Sequence, residues 1–172
     1  MSGRIWKFGD DVNTDLIIPG KHLDNYDPAH LASHAMEGAS REYAKGVRDG
    51  DVIVAGRNFG CGSSREQAVI ALKHSGIGII VARSFARIFY RNAVNLGLMV
   101  VTSNDAYDEL NDGDDVLFDP VSERVIRSSD GRTVQVDSIP LHVKSILDAG
   151  GLMPFVKRRL SAKSGESEKR QA

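Results

Sequence analysis

The sequence predicts an α/β fold with a central parallel sheet, and three observations carry that expectation. Short runs such as Val52-Ile53-Val54-Ala55 and Ile79-Ile80-Val81-Ala82 are apolar at every position. That is the pattern of strands covered on both faces, as in parallel sheets. Between and after these runs, apolar residues recur at helical spacing: Ala68, Val69, Ala71 and Leu72, then Phe85, Ile88, Phe89, Ala93 and Leu96. Glycines punctuate each change of period. The resulting order, strand–loop–helix–strand–helix–strand, reads as βαβαβ with parallel pairing. A chain of 172 residues suits one domain, and this size buries roughly 70% of the unfolded surface.

Residues 4–8 alternate loosely and read as a first strand. Residues 10–19 are turn-rich and lead into Leu16-Ile17-Ile18, which Pro19 stops. Residues 20–28 are polar and read as a loop. A helix is expected over 28–36, with Pro28 at its first position. A strand over 51–55 precedes a Gly-rich loop, 56–62, and a helix over 64–74. Gly76 and Gly78 lead into the strand 79–82. Ser84 is placed to cap the next helix, Gly97 to end it, and 98–101 is the third parallel strand. Residues 104–119 carry seven acidic side chains and no basic one, and read as solvated, turn-rich surface. Further short strands are expected at 116–118, 124–126 and 133–136, with Asp130-Gly131 as a hairpin turn. A helix over 141–149 ends at Gly150-Gly151. Residues 1–161 thus form a single domain, and 162–172 read as a frayed polar tail.

Composition narrows the function. Hydrophobic residues make up 41% and charged residues 26%, which marks an ordinary globular chain. A net charge of −1 speaks against nucleic-acid or membrane binding driven by bulk charge. The single cysteine, Cys61, excludes an internal disulfide and a Cys-rich metal centre held by this chain alone. No apolar run approaches the roughly 20 residues of a membrane span, and residues 1–11 lack the apolar stretch of a signal peptide. A cytoplasmic setting is expected.

The loop Gly56-Arg57-Asn58-Phe59-Gly60-Cys61-Gly62-Ser63-Ser64-Arg65-Glu66 is the most informative segment. It follows a strand and opens a helix, whose N-terminal N–H groups and dipole favour an anion. Glycines let backbone approach a ligand, Ser63 and Ser64 add hydroxyls, and Arg65 adds a fork that grips a carboxylate. A second explanation stands beside this one: Ser63-x-x-Glu66 and Ser64-x-x-Gln67 both fit a capping box. The lysine of a phosphate-binding P-loop is missing.

The run Asn58-Phe59-Gly60-Cys61-Gly62-Ser63-Ser64-Arg65-Glu66 resembles the small subunit of the aconitase-superfamily dehydratases. So does Ser84-Phe85-Ala86-Arg87-Ile88-Phe89-Tyr90-Arg91-Asn92-Ala93, followed by Asn95-Leu96-Gly97. Asp10-Asp11-Val12-Asn13-Thr14-Asp15-Leu16-Ile17-Ile18-Pro19 is similar to the family's opening motif. The short form found in 3-isopropylmalate dehydratases is the nearest resemblance. It implies a swivel domain (β/β/α), a central parallel sheet with added C-terminal strands, that closes over a large partner subunit. By resemblance, that partner carries a [4Fe–4S] cluster, none is bound by this chain, and the pair forms a hetero-oligomer. The implied reaction is reversible dehydration of a hydroxy-di- or tricarboxylate that moves the hydroxyl to the neighbouring carbon, here 2- to 3-isopropylmalate in leucine biosynthesis. The resemblance makes Ser63 the catalytic base, with Arg65, Ser64, Thr14 and Asp15 binding substrate. A serine hydroxyl is a weak base unless its anion is stabilised, and the helix N-terminus and Arg65 offer that. The chain alone is expected to be inactive.

In the family, a loop after the opening motif reads the variable part of the substrate. Here it holds Lys21, His22, Leu23, Asp24 and Asn25, in place of the usual Tyr-Leu pair. No arginine stands there for a third carboxylate. Gln67 replaces a histidine common after Ser-Ser-Arg-Glu. Homoaconitase and 2,3-dimethylmalate dehydratase small subunits are alternatives within the class, and a non-catalytic anion-binding module is the alternative outside it. Cys61 reads as a small residue filling a tight loop. His30 and His34 lie four apart with no adjacent acid or third ligand, so they read as a solvated helix face and no metal site is expected. Arg83, Arg87 and Arg91 are assigned structural or interface roles.

Overall fold

A computed structural model describes residues 1–169, with side chains through Ser161. Seven strands form one sheet: β1 (Ser2–Phe8), β2 (Val52–Ala55), β3 (Ile79–Ala82), β4 (Met99–Thr102), β5 (Asp115–Asp119), β6 (Arg124–Arg127) and β7 (Thr133–Gln135). Their order is β4-β3-β2-β1-β5-β6-β7. The pairs from β1 to β4 are parallel, and those from β1 through β5 and β6 to β7 are antiparallel. The expected parallel sheet with added C-terminal strands is therefore present, and β1 joins its two halves.

Side chains alternate across a strand, and both faces of the parallel half are covered. Ile53, Ala55, Ile80, Ala82 and Val100 join one core cluster with Leu72 and Phe89. Val52, Val54, Ile79, Val81 and Val101 join a second with Phe118 and Val125. This double burial is why β2 and β3 read as unbroken apolar runs.

Among the described residues there are eight helices: α1 (Thr14–Ile17), α2 (Pro28–Ser33), α3 (Tyr43–Gly46), α4 (Glu66–His74), α5 (Arg87–Leu96), α6 (Ala106–Glu109), α7 (Leu141–Asp148) and α8 (Leu152–Lys169). A 3-10 turn spans Gly20–His22. Pro28 opens α2 as expected, with the Asp27 carboxylate accepting from the His30 N–H. That helix stops at Ser33, short of residue 36. α1, α3, α6 and α8 carry no strong periodic signal, and four-residue helices owe their existence to tertiary packing. α8 runs through residues 162–169, inside the segment expected as a tail; residues 170–172 lie outside those described.

The acidic stretch 104–119 is not idle surface. Asp108 pairs with Arg83, Glu109 with Arg132, and Asp114 with Arg127. Asp112 accepts from the Lys7 N–H. These acids join the antiparallel half and the loops to the sheet rather than pointing to water alone.

Candidate functional site at the C-terminal edge of the parallel strands

The loops leaving β1, β2 and β3 emerge on one edge of the parallel sheet, the place where α/β folds gather ligands. They are laced by backbone bonds. The Asp11 N–H donates to the Arg57 carbonyl, Gly60 to Val12, Thr14 to Cys61, and Phe59 to Ser84. Side chains add to the lacing: the Arg57 N–H donates to Asp10, the Asn58 side chain to Asp11, and the Asn58 N–H to the Ser84 hydroxyl. Ser84 thus ties two loops together instead of capping α5, whose N-cap is Ala86.

Glycine is needed at two positions here. Gly60 has φ of 79°, and a Cβ there would meet the Phe89 ring at 2.1 Å. Gly62 has φ of 96°, and its missing side chain lets Thr14 approach. Phe89 stands edge-on to Phe59, with ring centroids 5.3 Å apart, so α5 is packed directly beneath the loop.

The predicted site residues converge. Ser63 and Ser64 are exposed at the entrance to α4. The Thr14 hydroxyl lies 3.4 Å from that of Ser63, long for a bond between hydroxyls. Thr14 itself is 2% exposed, so it sits behind Ser63 rather than facing solvent. The Arg65 guanidinium donates through Nη1 to Asp15 at 2.5 Å and to the Ile18 carbonyl at 3.4 Å. Among the described residues its Nε and Nη2 make no hydrogen bond. The arginine is therefore held by one corner, with most of its fork available.

The capping-box explanation fails. Arg65, not a serine, is the N-cap of α4, and no side chain caps that helix. The chain is extended at Arg65, and neither serine hydroxyl accepts from the first helical N–H groups.

Cys61 is half-buried, and burial first, then the neighbouring Asp11 charge, pushes its thiol pKa up. It is a poor thiolate, and its backbone bridges to Asn13. Gln67 is 9% exposed and starts the buried face of α4. A groove open to solvent runs from Asn58, Gly60, Gly62 and Ser63 to Ala86, Arg87, Ile88 and Arg91 on α5. Arg87 and Arg91 make no ion pair among the described residues, unlike Arg83. Their place beside Ser63 was missed as a site feature. The one available signal was their four-residue spacing at the start of the helix after β3.

The loop expected to read the substrate is less open than its sequence suggests. Lys21 Nζ donates to Glu37 Oε1 at 2.5 Å, and His22 Nε2 meets Glu37 Oε2 at 2.7 Å. His34 Nδ1 reaches the same Oε2 at 2.9 Å. Bonds from Lys21, His22 and His34 hold the Glu37 carboxyl down, at about 2. Leu23 packs against the core, while Asp24 and Asn25 are exposed. His30 and His34 are consequently not a solvated helix face. Glu37 lies three residues beyond His34 and pairs with it locally, while the chain returns His22 from the preceding loop, which no local spacing could reveal.

Comparison with known proteins agrees with this geometry. Residues 21–106 match the aconitase C-terminal domain family. The chain is 47% identical to the 3-isopropylmalate dehydratase small subunit of Thermodesulfovibrio yellowstonii, over 94% of this chain and 96% of that one. It is 51% identical to the methanogen homoaconitase small subunit of Methanocaldococcus jannaschii, over 92% of each. The crystal structure of a 3-isopropylmalate dehydratase from M. jannaschii superposes with a TM-score of 0.92 at 50% identity, covering 96% of this chain and 98% of that one. The chain belongs to the aconitase C-terminal domain family, among its separate small subunits of the 3-isopropylmalate dehydratase and homoaconitase type.

Proposed function

We propose that this chain is the small subunit of a 3-isopropylmalate-dehydratase-type hydro-lyase, with Ser63 as the base that takes a proton from carbon. One observation carries the reading: an uncapped, exposed Ser63 hydroxyl stands at the N-terminus of α4, backed by Thr14, with a half-free Arg65 two residues on. Removing a proton beside a carboxylate needs the base's anion and the substrate's growing charge to be stabilised. The dipole of α4 favours the Ser63 alkoxide. Arg65 offers Nε and Nη2 to a substrate carboxylate, and Asp15 fixes the guanidinium plane. Ser64 adds a donor at the same edge.

In one direction the C–H proton passes to Ser63 Oγ, the C–H electron pair becomes the new double bond, and the neighbouring hydroxyl leaves. Rehydration in the opposite sense moves the hydroxyl to the other carbon. A [4Fe–4S] cluster in this family supplies the Lewis acid for that hydroxyl. Cys61 is the only thiol in the chain, and these residues do not fit such a cluster, so a larger partner subunit would hold it. The open groove past Arg87, Ile88 and Arg91 suits a surface that such a partner covers.

A dicarboxylate substrate is favoured over a tricarboxylate. Lys21, the sole cation of the specificity loop, is engaged by Glu37. The test is reconstitution with the large subunit, followed by assay on 2-isopropylmalate, homoaconitate and 2,3-dimethylmalate. Turnover of 2-isopropylmalate by the pair, and none by the chain alone, is expected. Turnover by the isolated, iron-free chain, or none by the pair on any of these acids, would refute the proposal.

A further inference from the structure

We propose that His22, His30 and His34, together with Glu37, form a site for a late first-row divalent cation, with Zn²⁺ the natural occupant. The site lies on the specificity loop and α2, uses none of the groups assigned to proton transfer, and stands independently of the dehydratase reading.

One ring nitrogen from each histidine lies within 4.8 Å of those of the other two. Metal–nitrogen distances near 2.0–2.1 Å place tetrahedral ligands about 3.4 Å apart, so the shell closes when the imidazoles rotate out of their present stack. Two of the imidazoles already converge. His22 Nε2 and His34 Nδ1 meet a single oxygen, Glu37 Oε2, at 2.7 and 2.9 Å. Their rings stack with centroids 3.7 Å apart, and the His30 ring stands 5.5 and 4.9 Å from them. The carboxylate now draws in the edges that a cation would draw in more strongly, and it is itself the fourth ligand. Lys21 holds the other carboxylate oxygen at 2.5 Å, the kind of outer contact that orients a ligating acid.

Three imidazoles and one carboxylate favour zinc, cobalt, nickel or copper over magnesium or calcium, which prefer all-oxygen shells. The cluster is open enough to load: the side chains of His34 and Glu37 are about one-third exposed, while His22 is 12% exposed and so positioned by its surroundings. His22 closes the 3-10 turn of the loop, whereas His30 and His34 belong to α2 and its C-cap. A bound ion would therefore pin the Gly20–His22 turn to α2.

The experiment uses the full, tag-free chain, stripped with chelator and titrated with Co²⁺. One equivalent per chain is expected, with the visible absorption of tetrahedral cobalt, and Zn²⁺ should displace it. His30→Ala and Glu37→Gln should each weaken binding at least tenfold. His74→Ala, at the exposed end of α4, should not. The native chain's melting temperature should also rise with Zn²⁺, a readout free of any folding defect in the variants. No saturable binding of either metal by the native chain, or an unchanged affinity in His30→Ala and Glu37→Gln, overturns the proposal.

Discussion

Arg65 shows how one side chain serves two partners. Asp15 takes a single corner of its guanidinium, which orients the plane and leaves the remaining donors for an anion. Lysine would keep the charge and lose the fork. Arg65→Lys should therefore raise KM for a dicarboxylate about tenfold, with a smaller effect on kcat, as measured on the reconstituted enzyme. Asp15→Asn should loosen the guanidinium and raise KM in the same direction, by less. Residue types at this site were legible because Ser63, Ser64 and Arg65 sit in one short run. Whether the serines capped a helix was not legible. That depended on where α4 begins, a matter of one or two residues that only the backbone decides. The Glu37 cluster was invisible for another reason: His22 meets His34 through the fold, at a separation no periodicity records. Tyr43 is the plainest buried polar case. Its hydroxyl lies 3.1 Å from that of Ser75, and burial pushes its pKa well up. Tyr43→Phe should cost about 1 kcal/mol in denaturant unfolding.

Among elements, β2, β3, α4 and α5 were the most readable, because tight packing on both sheet faces writes itself into unbroken apolar runs. β1 depends on a less visible device. The Asp51 carboxylate is 3% exposed and accepts from the Arg4 N–H, the Trp6 indole and the Arg48 N–H. Asp51→Ala would strand three donors where β1 meets β2, at a cost of about 3 kcal/mol or more. The loop after β2 is equally intolerant. Gly60→Ala forces a left-handed backbone on a residue with a Cβ and drives that methyl into Phe89, costing about 3 kcal/mol. Because Phe89 anchors α5, the substitution should also shift Arg87 and Arg91 relative to Ser63. Equilibrium unfolding would read the first effect and KM the second.

At the scale of the molecule, ion pairs of the antiparallel half make stability depend on pH. Arg127 holds Asp130 well below the usual carboxylate range, and Arg132 holds Glu109 below it. A depressed folded pKa contributes stability above the unfolded value, near 4, and loses it as pH falls toward the folded one. Melting temperature should therefore be insensitive to these pairs between about pH 5 and 8, and should fall below about pH 4. Asp130→Asn should flatten that acid limb. The sequence suggested only a solvated acidic stretch here, because its arginine partners arrive from β3, β6 and the β6–β7 turn. The whole architecture, meanwhile, leaves the Ser63 and Ser64 side chains exposed at one sheet edge, where the proposed reaction would take place. The most direct measurement is kcat of Ser63→Ala, reconstituted with the large subunit and an intact cluster. A loss of about 10²–10⁴-fold with unchanged subunit affinity is expected for a missing base; a wild-type kcat would contradict the account.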